Sequence, residues 1–266
     1  MNLFQSKRFP SLSLSSFEKS KQNLSSEQIQ TLKTYESQHY TIKDFPALYS
    51  LLKLDRFSIY CGLIGFRKLT LEIDNFSFFS SLEASEFIAP LIKLASNQND
   101  LYAQFESLWI LSNLASGEGI IIDQLTENGI VLVLVQIIDH ENEEIKMQGL
   151  WGLANIISEK PELRDCLLNV GIIDKLLKIL RVCSRNCKEI VIWLISNIYK
   201  SKPWVEWEMF LKIFDELVQI VKEEKGKSEI LENSLSLIYI YSSKKQNFFL
   251  FNFAMSQRFI IMKWSI

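Results

Sequence analysis

The feature that most constrains this chain is a repeat of fixed length. Three segments align without gaps: FESLWILSNLASG (105–117), MQGLWGLANIISE (147–159) and EIVIWLISNIYKS (189–201). Each carries Trp-x-x-x-Asn, as Trp109/Asn113, Trp151/Asn155 and Trp193/Asn197, with successive tryptophans 42 positions apart. Gly129 and Gly171 are also 42 apart, and each opens an apolar run. Extended forward, the period lands on Leu235, with Tyr239 at the Asn position; extended backward, it lands on Arg67. A unit of this size cannot bury its own apolar face, so a sustained period in this range implies stacked helical units.

Each unit divides in the same way. A short first helix such as PELRDCLLNV, with Pro161 at its start, ends at the glycine. A second helix follows, then a polar turn and a longer third helix that carries Trp and Asn. Only 9 Gly and 5 Pro punctuate 266 residues, which favours long helices over many tight turns. Three helices per ~42 residues point to an all-α, right-handed armadillo-repeat superhelix of about five repeats, over residues 43–245. Residues 1–42 read as a flexible N-terminal arm, with nine serines in the first 40 positions and one short helix expected near Glu27–Tyr35. Residues 246–266 hold five phenylalanines, no acid and no repeat register, and read as an aromatic tail of open status.

Trp and Asn four apart share one helix face. With stacked helices roughly 8–10 Å apart, the three pairs are expected to form parallel ladders of indoles and carboxamides. An extended peptide advances ~3.3 Å per residue, so one repeat step matches about three of its residues. Each carboxamide can pair with a peptide C=O and N–H, and indole slots suit the stem and charge of Lys or Arg. Glu106 precedes Trp109 by three residues, Gln148 holds that position before Trp151, and Glu159 and Glu118 lie near the slot ends. Residues 101–200 hold 9 basic and 13 acidic side chains, an acidic middle hidden by the total of −2. The ligand implied is a short, extended, basic peptide.

These residues match a family. The stretch from about Asp44 to Lys245 resembles importin-α (karyopherin-α), the armadillo adaptor for nuclear localisation signals. FESLWILSNLASG looks like its second repeat, QGLWGLANIISEKPELRDCLLNVG its third and IWLISNIYKSKPW its fourth, with FRKL fitting the first and LSLIYIYSS the fifth. The resemblance implies a cargo groove of Trp109, Asn113, Trp151, Asn155, Trp193 and Asn197. It implies further roles for Gln148 in the groove, for Glu159 as receiver of the key lysine and for Gly117 in the second-repeat turn. Glu106 and Tyr239 complete the candidate set by their register. Partners would be proteins carrying basic nuclear localisation signals, in cytoplasm and nucleus. Departures are Ile122 in place of a threonine, Ile190 in place of a polar groove residue and Leu235 in place of a tryptophan. Lys7-Arg8 is the only basic pair in the first 40 residues, which puts importin-β binding in doubt.

Other classes find little support. There is no phosphate loop and no metal motif, and His39 and His140 stand far apart, so no enzyme, cofactor or metal site is expected. The longest apolar run, IVLVLVQII (130–138), is too short to span a membrane, and the net charge gives no footprint for nucleic acid. Two alternatives stand beside the leading one: an armadillo scaffold that assembles proteins without reading nuclear signals, and a truncated, non-functional fragment.

Overall fold

The computed structural model describes residues 24–72, 82–117, 119–160, 162–224, 226, 228–244, 252 and 256. Expectations for residues 1–23, Glu118, Pro161 and nearly all of the 246–266 tail lie outside them. The described residues form thirteen α-helices and no strand, in two compact units divided after Glu159.

The first unit contains α1 (Ser26–Ser37), a single 3-10 turn (Ile42–Asp44), α2 (Phe45–Leu51), α3 (Arg56–Glu72), α4 (Leu82–Ala95), α5 (Leu101–Leu114), α6 (Ile120–Glu127), α7 (Ile130–Ile137) and α8 (Glu143–Glu159). Helices α1, α3, α5 and α8 pack side by side as one row, with α2, α4 and α7 backing it. The row is apolar where it meets its backing: Leu63, Phe66 and Leu69 of α3, Leu108 and Leu114 of α5, and Leu150, Leu153 and Ile156 of α8 are buried. Helix α1 lies inside the stretch expected as an arm. It is the short helix anticipated there, opened by a reciprocal capping box between Ser25 and Gln28. Only Leu32 of α1 is buried, and among the described residues α1 is the first helix of the row. The packed region therefore starts before position 43.

The second unit contains α9 (Leu163–Asn169), α10 (Ile172–Val182), α11 (Arg185–Lys200), α12 (Trp207–Glu223) and α13 (Glu229–Lys244). Here α11 and α13 form the row, backed by α10 and α12. Arg164, buried on α9, donates to the carbonyls of Ser201 and Pro203 and so ties down the turn after α11.

The expected three-helix division is seen twice, as α6-α7-α8 and α9-α10-α11, while the other repeats have two helices in the described residues. Gly129 and Gly171 occupy the left-handed region (φ 81° and 74°), which is why each corner between the first two helices falls on a residue without a side chain. Glycine serves a different purpose on α8. A Cβ at Gly149 would lie 2.7 Å from Ile137 Cγ2, and one at Gly152 would lie 3.0 Å from Leu134 Cδ1. Helix α7 thus rests against bare α8 backbone.

Candidate peptide-binding row

The third helices carry the candidate residues. Trp109 and Asn113 are on α5, Trp151 and Asn155 on α8, and Trp193 and Asn197 on α11. All six are buried: the indoles retain 1%, 9% and 8% of their surface and the asparagines 0%, 0% and 2%. The expectation of an open ladder is corrected here. Within the first unit, α3, α5 and α8 stacked side by side enclose Trp109 and Asn113, and the rungs on α8 and α11 are buried as well.

Within the first unit the carboxamides are engaged by the preceding helix. Asn113 Nδ2 donates to Thr70 Oγ1 on α3 (3.2 Å), and Asn155 Nδ2 donates to the Ser112 carbonyl on α5 (3.0 Å). Both bonds span 43 residues, so the same contact recurs one repeat on. Gln148 is also buried. Its Oε1 accepts from Ser112 Oγ (3.0 Å), and its Nε2 has no hydrogen-bond partner among the described residues. Buried amides gain most when each bond is made, so these contacts staple each third helix to the next.

Glu106 was expected to meet a ligand cation. Instead it meets one from the chain itself. Arg67 of α3 donates from Nε to Glu106 Oε2 (2.7 Å) and from Nη2 to Glu36 Oε2 of α1 (2.5 Å). Its guanidinium carbon stands 4.6 Å from the centre of the Trp109 ring, a cation–π arrangement. Glu106 is fully enclosed, and burial raises its carboxyl above the ordinary range against the opposing pull of Arg67. Burial also opposes the charge on Arg67, but Glu106 and Glu36 outweigh it and raise that pKa. Glu106 and the α3-facing side of Trp109 are thus occupied by Arg67. Sequence reading met Arg67 only as the place where the backward period landed. An arginine at a tryptophan position, one repeat before Trp109, was the available signal.

The remaining candidates scatter in exposure. Gly117, just after α5, is buried; Glu159, at the end of α8, is half-buried; Tyr239, on α13, is about half-exposed. Ile122 and Ile190 are buried apolar residues and Leu235 is half-buried, so those three positions carry packing. In the second unit, Lys200 lies seven residues after Trp193 and is half-buried. Its Nζ reaches Asn233 Oδ1 of α13 at 3.4 Å, and burial lowers its pKa. Ser196 Oγ contacts the same Asn233 oxygen at 3.3 Å.

Among the described residues no His/Cys/Asp/Glu group is arranged to hold a metal, and no single helix is long and apolar enough to cross a membrane. The four cysteines are free thiols.

No protein-family model and no curated protein sequence matches the chain. Solved structures do. The chain is similar to computationally designed armadillo repeat proteins for modular peptide recognition, at 22% identity and a TM-score of 0.61, over 73% of this chain and 80% of that one. It is also similar to a designed armadillo repeat protein in complex with the peptide (KR)4, at 21% identity and a TM-score of 0.63, covering 86% of this chain and all of that one. A further designed armadillo repeat protein gives 18% identity and a TM-score of 0.64, with 86% of this chain and 100% of the other covered. The two-layer units, each with a row of helices and further helices behind it, therefore constitute an armadillo-repeat fold.

Proposed function

We propose that this protein is a peptide-binding armadillo adaptor that takes extended, basic signals of the nuclear localisation class and serves nuclear import between cytoplasm and nucleus. The observation that carries this reading is the Trp-x-x-x-Asn pair recurring at a fixed 42-residue interval on α5, α8 and α11. Packing alone would accept Leu or Ile at the asparagine positions, so the recurrence of Asn there is the feature to explain. The acidic excess of residues 101–200 supplies charge choice. One designed armadillo neighbour was solved with an alternating basic peptide, which supports the chemistry for the fold. Because the rungs are closed, binding entails uncovering them, and Trp151, Trp193 and the half-buried Glu159 are the positions assigned to ligand contact.

Titration of a fluorescein-labelled lysine-rich peptide tests the proposal. Binding should weaken with salt as the charge attraction is screened. Trp151→Ala with Asn155→Ala should weaken it by about tenfold or more, with helicity checked by circular dichroism. No binding at low salt, or binding indifferent to the double substitution, rules it out.

A second reading is favoured by a specific observation. The Asn113 and Asn155 amides serve the neighbouring helix, as they would in an armadillo scaffold that reads no basic signal. Capture of partners lacking basic motifs, with the lysine-rich peptide inert, is the outcome that supports it.

A further inference from the structure

We propose that Arg67 forms a carboxylate-receiving position at the α1 end of the first unit's row, filled here by Glu36 and open to an acidic side chain of a bound peptide in exchange. The inference rests on the peptide-binding reading and adds a charge rule to it: a basic ligand is favoured when an acidic residue flanks its lysines.

The two carboxylates on Arg67 are not equivalent. Glu106 is sealed within α5 and holds Nε in place, while the Glu36 side chain retains 39% of its surface. Glu36 sits in the last turn of α1, which closes at Gln38, so its side chain can swing to solvent while Leu32 keeps the helix docked. Trp109 lies beside the guanidinium, its ring centre 4.6 Å from the guanidinium carbon. The two carboxylate bonds use Nε and Nη2. A planar guanidinium, held at one edge and set beside an aromatic ring, presents its other edge for paired bonds to a carboxylate. The same charge repels a ligand lysine at this step. Glu36 is therefore an internal stand-in for the ligand carboxylate.

The test uses the full-length chain and two kinds of fluorescein-labelled probe. The first is a (Lys-Arg)3 peptide flanked by two glutamates at one end, at the other end, or by two alanines. With Glu36→Gln protein, one glutamate-flanked peptide should bind about fivefold tighter than the alanine-flanked one, a difference of about 1 kcal/mol. The gain should be smaller in wild type, where Glu36 competes, and absent in Glu36→Gln/Arg67→Gln. Equal binding of all three peptides to Glu36→Gln overturns the proposal. The second probe, an N-acetylated tetraglutamate, touches only the Arg67 position. It should bind Glu36→Gln about fivefold tighter than wild type, and equal binding to the two proteins overturns the inference even if no basic peptide binds at all. Failure of basic peptides alone sinks the adaptor reading instead. If Arg67→Gln does not fold, the comparison of wild type with Glu36→Gln decides.

Discussion

The two units build the same step with different weights of polar and aromatic contact: the first also pairs Tyr60 of α3 with Tyr102 of α5, and the second also has polar contacts. In the first, third helices are joined by polar contacts: Glu36–Arg67–Glu106 across α1, α3 and α5, then Asn113 to Thr70 and Asn155 to Ser112. In the second, α11 and α13 meet through Tyr199 and Tyr241 as well as through Asn233, which Ser196 and Lys200 contact. Tyr199 of α11 packs on Tyr241 at 5.7 Å, and Tyr241 also stacks on Phe210 of α12 at 4.3 Å with the planes 7° apart. Tyr241 Oη donates to the carbonyls of Tyr199 and Val205. Tyr199 and Tyr241 are themselves 42 residues apart. A fixed period therefore dictates where a cross-helix contact falls and leaves its chemistry free. The polar seam is the specific one, because its members need matched partners. The aromatic seam depends on area and shape.

The strongest way to break this contrast is Arg67→Ala. It leaves Glu106 enclosed without its cation and should cost about 3–5 kcal/mol, read as a lower urea midpoint. Arg67→Met with Glu106→Met should recover most of that loss, since an apolar pair of similar volume carries no charge to desolvate. Failure of the double variant to recover would show that the seam does more than satisfy its own charges.

Asn155→Ala comes next. It strips the Ser112 carbonyl of its cross-helix donor and should cost about 1–3 kcal/mol. If the second unit differs as described, Tyr241→Phe should be milder, about 1 kcal/mol, because the stacked ring survives and only the hydroxyl contacts go. Equal losses at the two positions would erase the distinction.

How much of this could be read from the sequence is uneven. The period, the long third helices and the corners at Gly129 and Gly171 were all legible, because each is a local property of spacing or backbone. The partners of Asn113 and Asn155 were not. Which atom a carboxamide meets depends on the register between two helices, and a 43-residue span differs from the 42-residue repeat by one position. The tryptophans were legible as a row, but their enclosure was not, since exposure depends on what packs over them. Helix α1 was visible as a short helix but not as part of the row, since a single buried leucine leaves almost no apolar period.

The smallest expected effect concerns Lys200. Burial sets its folded pKa below the unfolded value of about 10.4, so the unfolded chain holds more protons between those two values. Stability should rise with pH across that window, and below it the half-buried charge weakens the fold. Lys200→Met should therefore raise Tm by about 2 °C near neutral pH, with the gain fading toward pH 10 and above. A drop in Tm would mean that the contact with Asn233 outweighs the desolvation.

Gly149 and Gly152 bracket Trp151 on α8, with Ile137 and Leu134 pressed into the space a methyl group would need. The clearance between that helix and its backing is thus governed by atoms that are missing. Alanine at both sites would shove α7 outward or drive α8 toward α5, and the disturbance would surface on the far side as a stretched Asn155–Ser112 bond. The calibre of the row is gauged from behind, at two points where nothing protrudes.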